Sequence, residues 1–198
     1  YNACDPFSIN CKKEDSCVMG SQIELEPKPN LVLMAGLPGT GKTTLAYALG
    51  RKLGWQVVDK DMYRETLVKQ GFDEDGAGKI AYELSFAQVR TLLIRQQLST
   101  IFDSAMLHHF VLDEMMEIMR CTDKAILKVI LCVADRDLRN YRLRNRSFQN
   151  TSIHVDPATI FDYLRYFEHL PKNRLTLFTN VPLEECIVKA RDYIEYEK

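Results

Sequence analysis

The chain has 198 residues, 46% of them hydrophobic and 27% charged, which is enough for one well-cored domain and short for two. A formal net charge of −1 lacks the basic excess of a typical nucleic-acid binder, and no apolar run approaches the roughly 20 residues that cross a bilayer. The six cysteines give no C-x-x-C pair, and Cys4, Cys11 and Cys17 have no nearby His, so reduced thiols in a soluble, cytoplasmic-type protein without a membrane partner are expected. The chain opens on Tyr1 and not Met, as a processed form or a piece of something longer would.

Residues 1–29 mix Asn, Asp, Lys, Ser and Glu without apolar periodicity and end in Pro27-Lys28-Pro29, the pattern of an extended arm or linker. A single domain is expected over 30–198. It starts with an apolar strand, Leu31 to Ala35, followed by Gly36-Leu37-Pro38-Gly39-Thr40-Gly41-Lys42-Thr43. This is a full match to the phosphate-binding pattern G-x-x-x-x-G-K-[ST], with a strand before it and a helix after it. The glycines let successive N–H groups converge on a nucleotide triphosphate, and the helix from Thr44 sets its positive end behind the same anion. Gly36, Gly39, Thr40, Gly41, Lys42, Thr43 and Thr44 are therefore the expected nucleotide-binding residues. Lys42 brings a mobile charge to the outer phosphates of ATP, and the Thr43 hydroxyl is the natural ligand for Mg2+.

Trp55 to Val58 reads as a second strand, leaving Asp59, Lys60, Asp61 and Arg64 at its carboxyl end, where open α/β sheets bind ligands. Gly71 to Gly78 reads as an acidic loop. A long helix is expected from about Lys79 to Leu98, with Ile80, Leu84, Ala87, Thr91, Ile94 and Leu98 facing the core. Ser99 to Phe102 is a third strand delivering Asp103, and an amphipathic helix through Leu107, Phe110, Val111, Met115 and Ile118 follows. Ala125 to Ala134 is nearly continuous apolar sequence, as in an internal strand of a parallel sheet, with Cys132 a small buried hydrophobe. Five arginines follow in a helical stretch from Asp135 to Arg146. A polar segment comes next, and then a helix from Asp156-Pro157 to Pro171. Leu175 to Phe178 is the last strand, and Pro182 opens a final helix with Leu183, Ile187, Ala190 and Ile194 inward. Strands alternating with helices predict a three-layer α/β/α fold of the P-loop NTPase kind, with about five parallel strands.

The reaction has to come from what faces the γ-phosphate. Asp61 at a strand end can accept the proton of an acceptor hydroxyl, and Arg64, one turn on, can hold the acceptor. Asp59 competes for the role of base, and an N-cap is the structural alternative for Asp61. Asp103 ends the third strand, where an acidic residue holds magnesium through water; an ordinary loop cap is its alternative. Arg142 and Arg146 lie one helical turn apart and can face one phosphate as part of a lid over about 139–156. A solvated basic face is the structural alternative. His108 and His109 are assigned no role.

The 36–44 run, Asp61 with Arg64, Asp103-Ser104-Ala105, Arg142-Leu143-x-x-Arg146 and Pro182-Leu183-Glu184-Glu185 together resemble the small P-loop kinases related to polynucleotide kinase and the zeta-toxin sugar-nucleotide kinases, an AAA-type ATP-binding group. The resemblance covers about residues 30–196. It implies a nucleoside-kinase-like fold with an Arg-bearing lid, ATP and Mg2+ as cofactors, and transfer of the γ-phosphate to a hydroxyl. It also implies that Asp61 is the general base, that Arg64 positions the acceptor, and that Arg142 and Arg146 touch ATP phosphates. The acceptor region is about 62–98. A small metabolite or sugar-like alcohol is the favoured acceptor; a polynucleotide 5′-hydroxyl is the rival, and a non-catalytic ATP-binding switch is the third reading.

Overall fold

A computed structural model describes residues 28–122, 125–145 and 165–196. Most of the arm expected over 1–29, Arg146 with the later part of the lid, and most of the helix expected from Asp156 lie outside the described residues.

The sheet has five parallel strands in the order β2-β3-β1-β4-β5. They are β1 (Asn30–Ala35), β2 (Gln56–Asp59), β3 (Thr100–Asp103), β4 (Ile126–Val133) and β5 (Leu175–Phe178). Side chains along β1 alternate between two cores because a strand has a period of two. Leu31, Leu33 and Ala35 face one core, and Val32 and Met34 face the other. The first core is closed by α3 (Glu74–Arg90) and α4 (His109–Arg120) through Val89, Val111, Met115 and Ile118; the second is closed by α1 (Lys42–Leu53) and α6 (Leu183–Glu195) through Leu45, Leu49, Ile187 and Ile194. The three expected layers are present. Among the described residues, α2 (Lys60–Lys69) and α5 (Arg136–Arg144) complete six α-helices.

Three expectations about elements need correction. Gly76 and Gly78 do not belong to a loop: α3 starts at Glu74, because the Asp73 carboxylate accepts from the Gly76 amide and caps the helix there. The buried face of α3 is accordingly Ala77, Ala81, Ser85 and Val89, while Leu84 and Ala87 point outward. After Arg90 the helix widens into a π-helical turn, Thr91–Arg95, and Leu98 is 46% exposed rather than packed in the core. In α6, Leu183 lies at the surface and Cys186 is buried in its place.

Candidate functional site

The carboxyl ends of β1, β3 and β2 converge on one edge of the sheet, and the glycine-rich loop leaves β1 there. Gly36 has φ of +143°, and a Cβ on it would meet the Cys132 carbonyl oxygen at 2.6 Å, so only glycine fits. Its amide donates to the Ala105 carbonyl, which ties the loop to the segment after β3. Thr40 is fully buried and its hydroxyl donates to the Leu37 carbonyl at 2.8 Å, so this side chain holds the shape of the loop. Gly41 takes φ of +84° as the residue before α1, and Lys42 and Thr43 open the helix. Thr44 is exposed on the outer side, lining a cavity of about 370 Å³ with Arg142, Thr179 and Leu183.

Three carboxylates gather at this end of the sheet, two of them, Asp61 and Asp103, within the electrostatic reach of the buried Lys42. Asp103 is 3% exposed; its Oδ1 is buried without a hydrogen-bond partner. Burial pushes its carboxyl up to about 6, with Asp59 and Asp61 adding to the rise, while Lys42 and the Thr43 hydroxyl oppose it. Asp59 stands opposite Asp103 in the β2–β3 register. The Asp59 carboxylate accepts from the Asp61 amide at 2.9 Å and from the Tyr47 hydroxyl at 3.3 Å. Burial raises Asp59 as well, and burial beside Asp59 drives the Tyr47 phenol up to about 12. Asp59 is thus the cap of α2, and Asp61 is not. With the capping role taken by its neighbour, the Asp61 side chain stays 51% exposed, and its Oδ1 lies 2.6 Å from Lys60 Nζ. Burial raises Asp61 too, but Lys60, Lys42 and Arg64 outweigh that and hold it below the usual carboxylate range.

Lys60 links this cluster to a second, larger cavity of about 1150 Å³. Its ammonium lies 5.1 Å from the centroid of the Tyr82 ring, which forms part of the cavity wall. Arg64 lines the same cavity and is ion-paired with Glu74 of α3. His108, which precedes α4, stacks on Phe110, and both face this space. Sequence reasoning gave Lys60, Tyr82 and His108 no role. The signal for Tyr82 was its position one residue after Ala81, visible only once the phase of α3 is set correctly.

On the other flank of the loop, α5 grips the backbone. Arg139 is 1% exposed and its Nε donates to the Pro38 carbonyl at 3.1 Å. Arg142 donates to Thr179 Oγ1 at 3.0 Å, to the Thr179 carbonyl at 2.6 Å and, at 3.4 Å, to the Gly39 carbonyl. Thr179 Oγ1 in turn donates to the Thr40 carbonyl. The structure therefore brings together Lys42, Thr43, Asp59, Asp61 and Asp103. Arg64 lies on the cavity side, and Arg142 is engaged by protein oxygens behind the loop.

A family model described as AAA domain, AAA_33, matches residues 31–170. Among curated proteins, the ATP-binding subunit ClpX of the Clp protease from Azotobacter vinelandii is 42% identical over 76 residues, 38% of this chain and 16% of that protein. The large subunit of replication factor C from Methanopyrus kandleri is 54% identical over 33 residues, 17% of this chain. The chain thus spans only 16% and 6% of the length of these curated relatives. Among solved structures, a kinase candidate from Chloroflexus aurantiacus superposes with a TM-score of 0.65 at 22% identity, covering 85% of this chain and all of that one. A sugar kinase from Janibacter sp. HTCC2649 gives 0.60 at 18% identity over 85% of this chain and 95% of that one. A chain of the Pnkp1/Rnl/Hen1 RNA repair complex gives 0.58 at 18% identity, over 76% of this chain and 47% of that one. These likenesses show a shared α/β fold, that of P-loop kinases. Matched over most of its length, the chain belongs to the AAA domain family AAA_33.

Proposed function

We propose that the protein is an ATP- and Mg2+-dependent phosphotransferase that moves the γ-phosphoryl group to a hydroxyl of a small acceptor. The observation that carries this reading is the position of Asp61. It lies within the electrostatic reach of the P-loop lysine, is half-exposed, is released from capping by Asp59, and is joined through Lys60 to a cavity large enough for an acceptor.

In this reading the amides of Gly39, Gly41 and Lys42 hold the outer phosphates with the Lys42 ammonium, and the 370 Å³ cavity beside Thr44 takes the rest of the nucleotide. A buried carboxylate oxygen without a partner, next to a threonine hydroxyl, suits a hard divalent cation that keeps most of its waters; Asp103 and Thr43 would hold it. When bound, Mg2+ supplies charge neutralisation at the phosphates. The acceptor oxygen forms its bond to the γ-phosphorus as the bond to the β,γ-bridging oxygen breaks. ADP leaves, and the hydroxyl proton passes to the Asp61 carboxylate. A carboxylate held low is a weak base, but it is ionised throughout the neutral range. The loose transition state of phosphoryl transfer asks for proton acceptance only late. Arg64 orients the acceptor, and Arg139 and Arg142 stiffen the loop against the transferring group.

The sugar-kinase and RNA-repair neighbours represent the two acceptor classes, and charge favours the first. The cavity sets Glu74, Asp75, Glu83 and Glu114 against Lys60, Arg64, Lys79 and Arg90, a balance that would repel a polyanion as much as attract it. The test is phosphate transfer from γ-labelled ATP to a metabolite extract, read by mass. Asp61→Asn should lower transfer by at least about a thousandfold while ATP affinity stays similar. Retained transfer would move the base to Asp59, and no transfer by the unaltered protein to any acceptor would leave a nucleotide-binding switch.

A further inference from the structure

The 1150 Å³ cavity is larger than the usual 300–1000 Å³ of sites for drug-sized ligands, and far more than a monosaccharide fills. One wall is aromatic. Tyr82 stacks on Phe86 with centroids 5.7 Å apart and meets the edge of Phe110 at 5.1 Å, and Phe110 stacks on His108 at 5.7 Å. Phe110 nonetheless remains 49% exposed on a helix whose neighbours Val111 and Met115 are fully buried. The ion pairs Arg64–Glu74 and Arg90–Glu114 flank this wall and neutralise each other. Gly78, one turn before Tyr82 on the same face of α3, and Ala87, next to Phe86, also line the cavity. Gly78 is the telling residue. Glycine in a helix interior is less favourable than alanine, yet a Cβ at this position would meet no protein atom within 4 Å. No contact in the fold requires a glycine there, and its effect is to leave open space beside Tyr82.

We propose that this cavity binds an alcohol carried on a flat aromatic or heteroaromatic ring, without net charge and larger than a monosaccharide. The ring lies against Tyr82 and Phe110, and the hydroxyl reaches past Lys60 toward Asp61. This rests on the phosphotransferase reading for the role of the hydroxyl, but the binding of the ring does not depend on transfer. Stacking on this wall adds to the gain from burying the ring's apolar faces, so a ring-bearing ligand should bind at least about tenfold tighter than its ring-free counterpart.

Two matched pairs test this by calorimetry and by saturation-transfer NMR in the presence of a non-hydrolysable ATP analogue: 4-nitrophenyl β-D-glucoside against methyl β-D-glucoside, and adenosine against ribose. At least one ring-bearing member should bind at least tenfold tighter than its partner, with saturation strongest at ring protons. Ala87→Trp, which fills the cavity from an exposed helix position, should remove that binding while ATP-analogue affinity and the melting temperature stay within error; Phe110→Ala should remove it too, with ATP-analogue affinity unchanged and a lower melting temperature from the lost contacts to Tyr82 and His108. Equal or absent binding across both pairs, or ring binding untouched by Ala87→Trp, overturns the proposal. Ring binding together with no transfer from γ-labelled ATP to any acceptor of the metabolite extract would support the ring site and overturn the phosphotransferase reading instead.

Discussion

Two glycines mark the contrast between the two halves of the site. At Gly36 the backbone is crowded on every side: an added Cβ would press on the Cys132 carbonyl at 2.6 Å and on the Thr40 hydroxyl at 2.8 Å. At Gly78 the same atom would enter open space. The phosphate pole is fixed by backbone, with Arg139, Arg142 and Thr179 closing hydrogen bonds onto loop carbonyls. The acceptor cavity is fixed by side chains projecting from three helices into a space the protein leaves unfilled. A site of the first kind serves one ligand chemistry, since moving any peptide moves the others. A site of the second kind can change occupant by changing a few side chains, which is where fold and specificity separate.

Breaking the crowded side should have the largest effect. Gly36→Ala has to place an alanine at φ of +143° and displace a carbonyl of β4, which together cost about 2–5 kcal/mol. Nucleotide affinity should fall by at least about a hundredfold, since the loop amides lose their convergence. Thermal melting and ATP-analogue titration measure both. A variant with unchanged affinity would mean that the loop is not held from β4.

How much of this was legible from sequence follows the same division. The P-loop could be read because its spacing constrains backbone, and backbone needs at 36, 39 and 41 are satisfied by glycine alone. The cavity could not be read, because α3 packs through small residues. Ala77, Ala81 and Ser85 let the helix lie close against its neighbours, so the larger Leu84 looked like core and turned out 42% exposed. Two glycines in its first turns hid the start of the helix, and the Asp73 cap was the available signal. Asp59 and Asp61 were indistinguishable in sequence as the carboxylate that caps α2 and the one that does not. Only the amide-to-carboxylate hydrogen bond separates them.

An intermediate effect is expected at the carboxylate between the two halves. Asp103 has an ordinary value of 3.8 and is pushed up to about 6 in the fold, so from about pH 4 to 6 the unfolded chain releases a proton that the folded one retains. Stability from this group is present at low pH and is lost as pH rises through 6, by an amount on the order of a few kcal/mol. In EDTA, Asp103→Asn should therefore melt several degrees higher than the unaltered protein at pH 8, and the difference should shrink at pH 5. With Mg2+ and an ATP analogue the order should reverse, because the variant lacks the oxygen that the cation needs. Melts that match at both pH values would remove the strain assigned to this carboxylate.

The smallest effect sharpens the contrast from the open side. Gly78→Ala adds one methyl group to a half-buried position of α3 with nothing to collide against, and it restricts the unfolded chain. It should raise stability by about 0.5–1 kcal/mol, a melting shift of roughly 2–3 °C in a protein of this size. ATP-analogue affinity should not move, because α3 makes no contribution to the loop. The same substitution at Gly36 destroys the site and at Gly78 improves the fold, so the pair compares backbone need with ligand need at equal chemical cost. If Gly78→Ala instead destabilises the protein, a helix constraint at this position would explain the glycine. The open space beside Tyr82 would then lose its strongest support as room kept for a ligand.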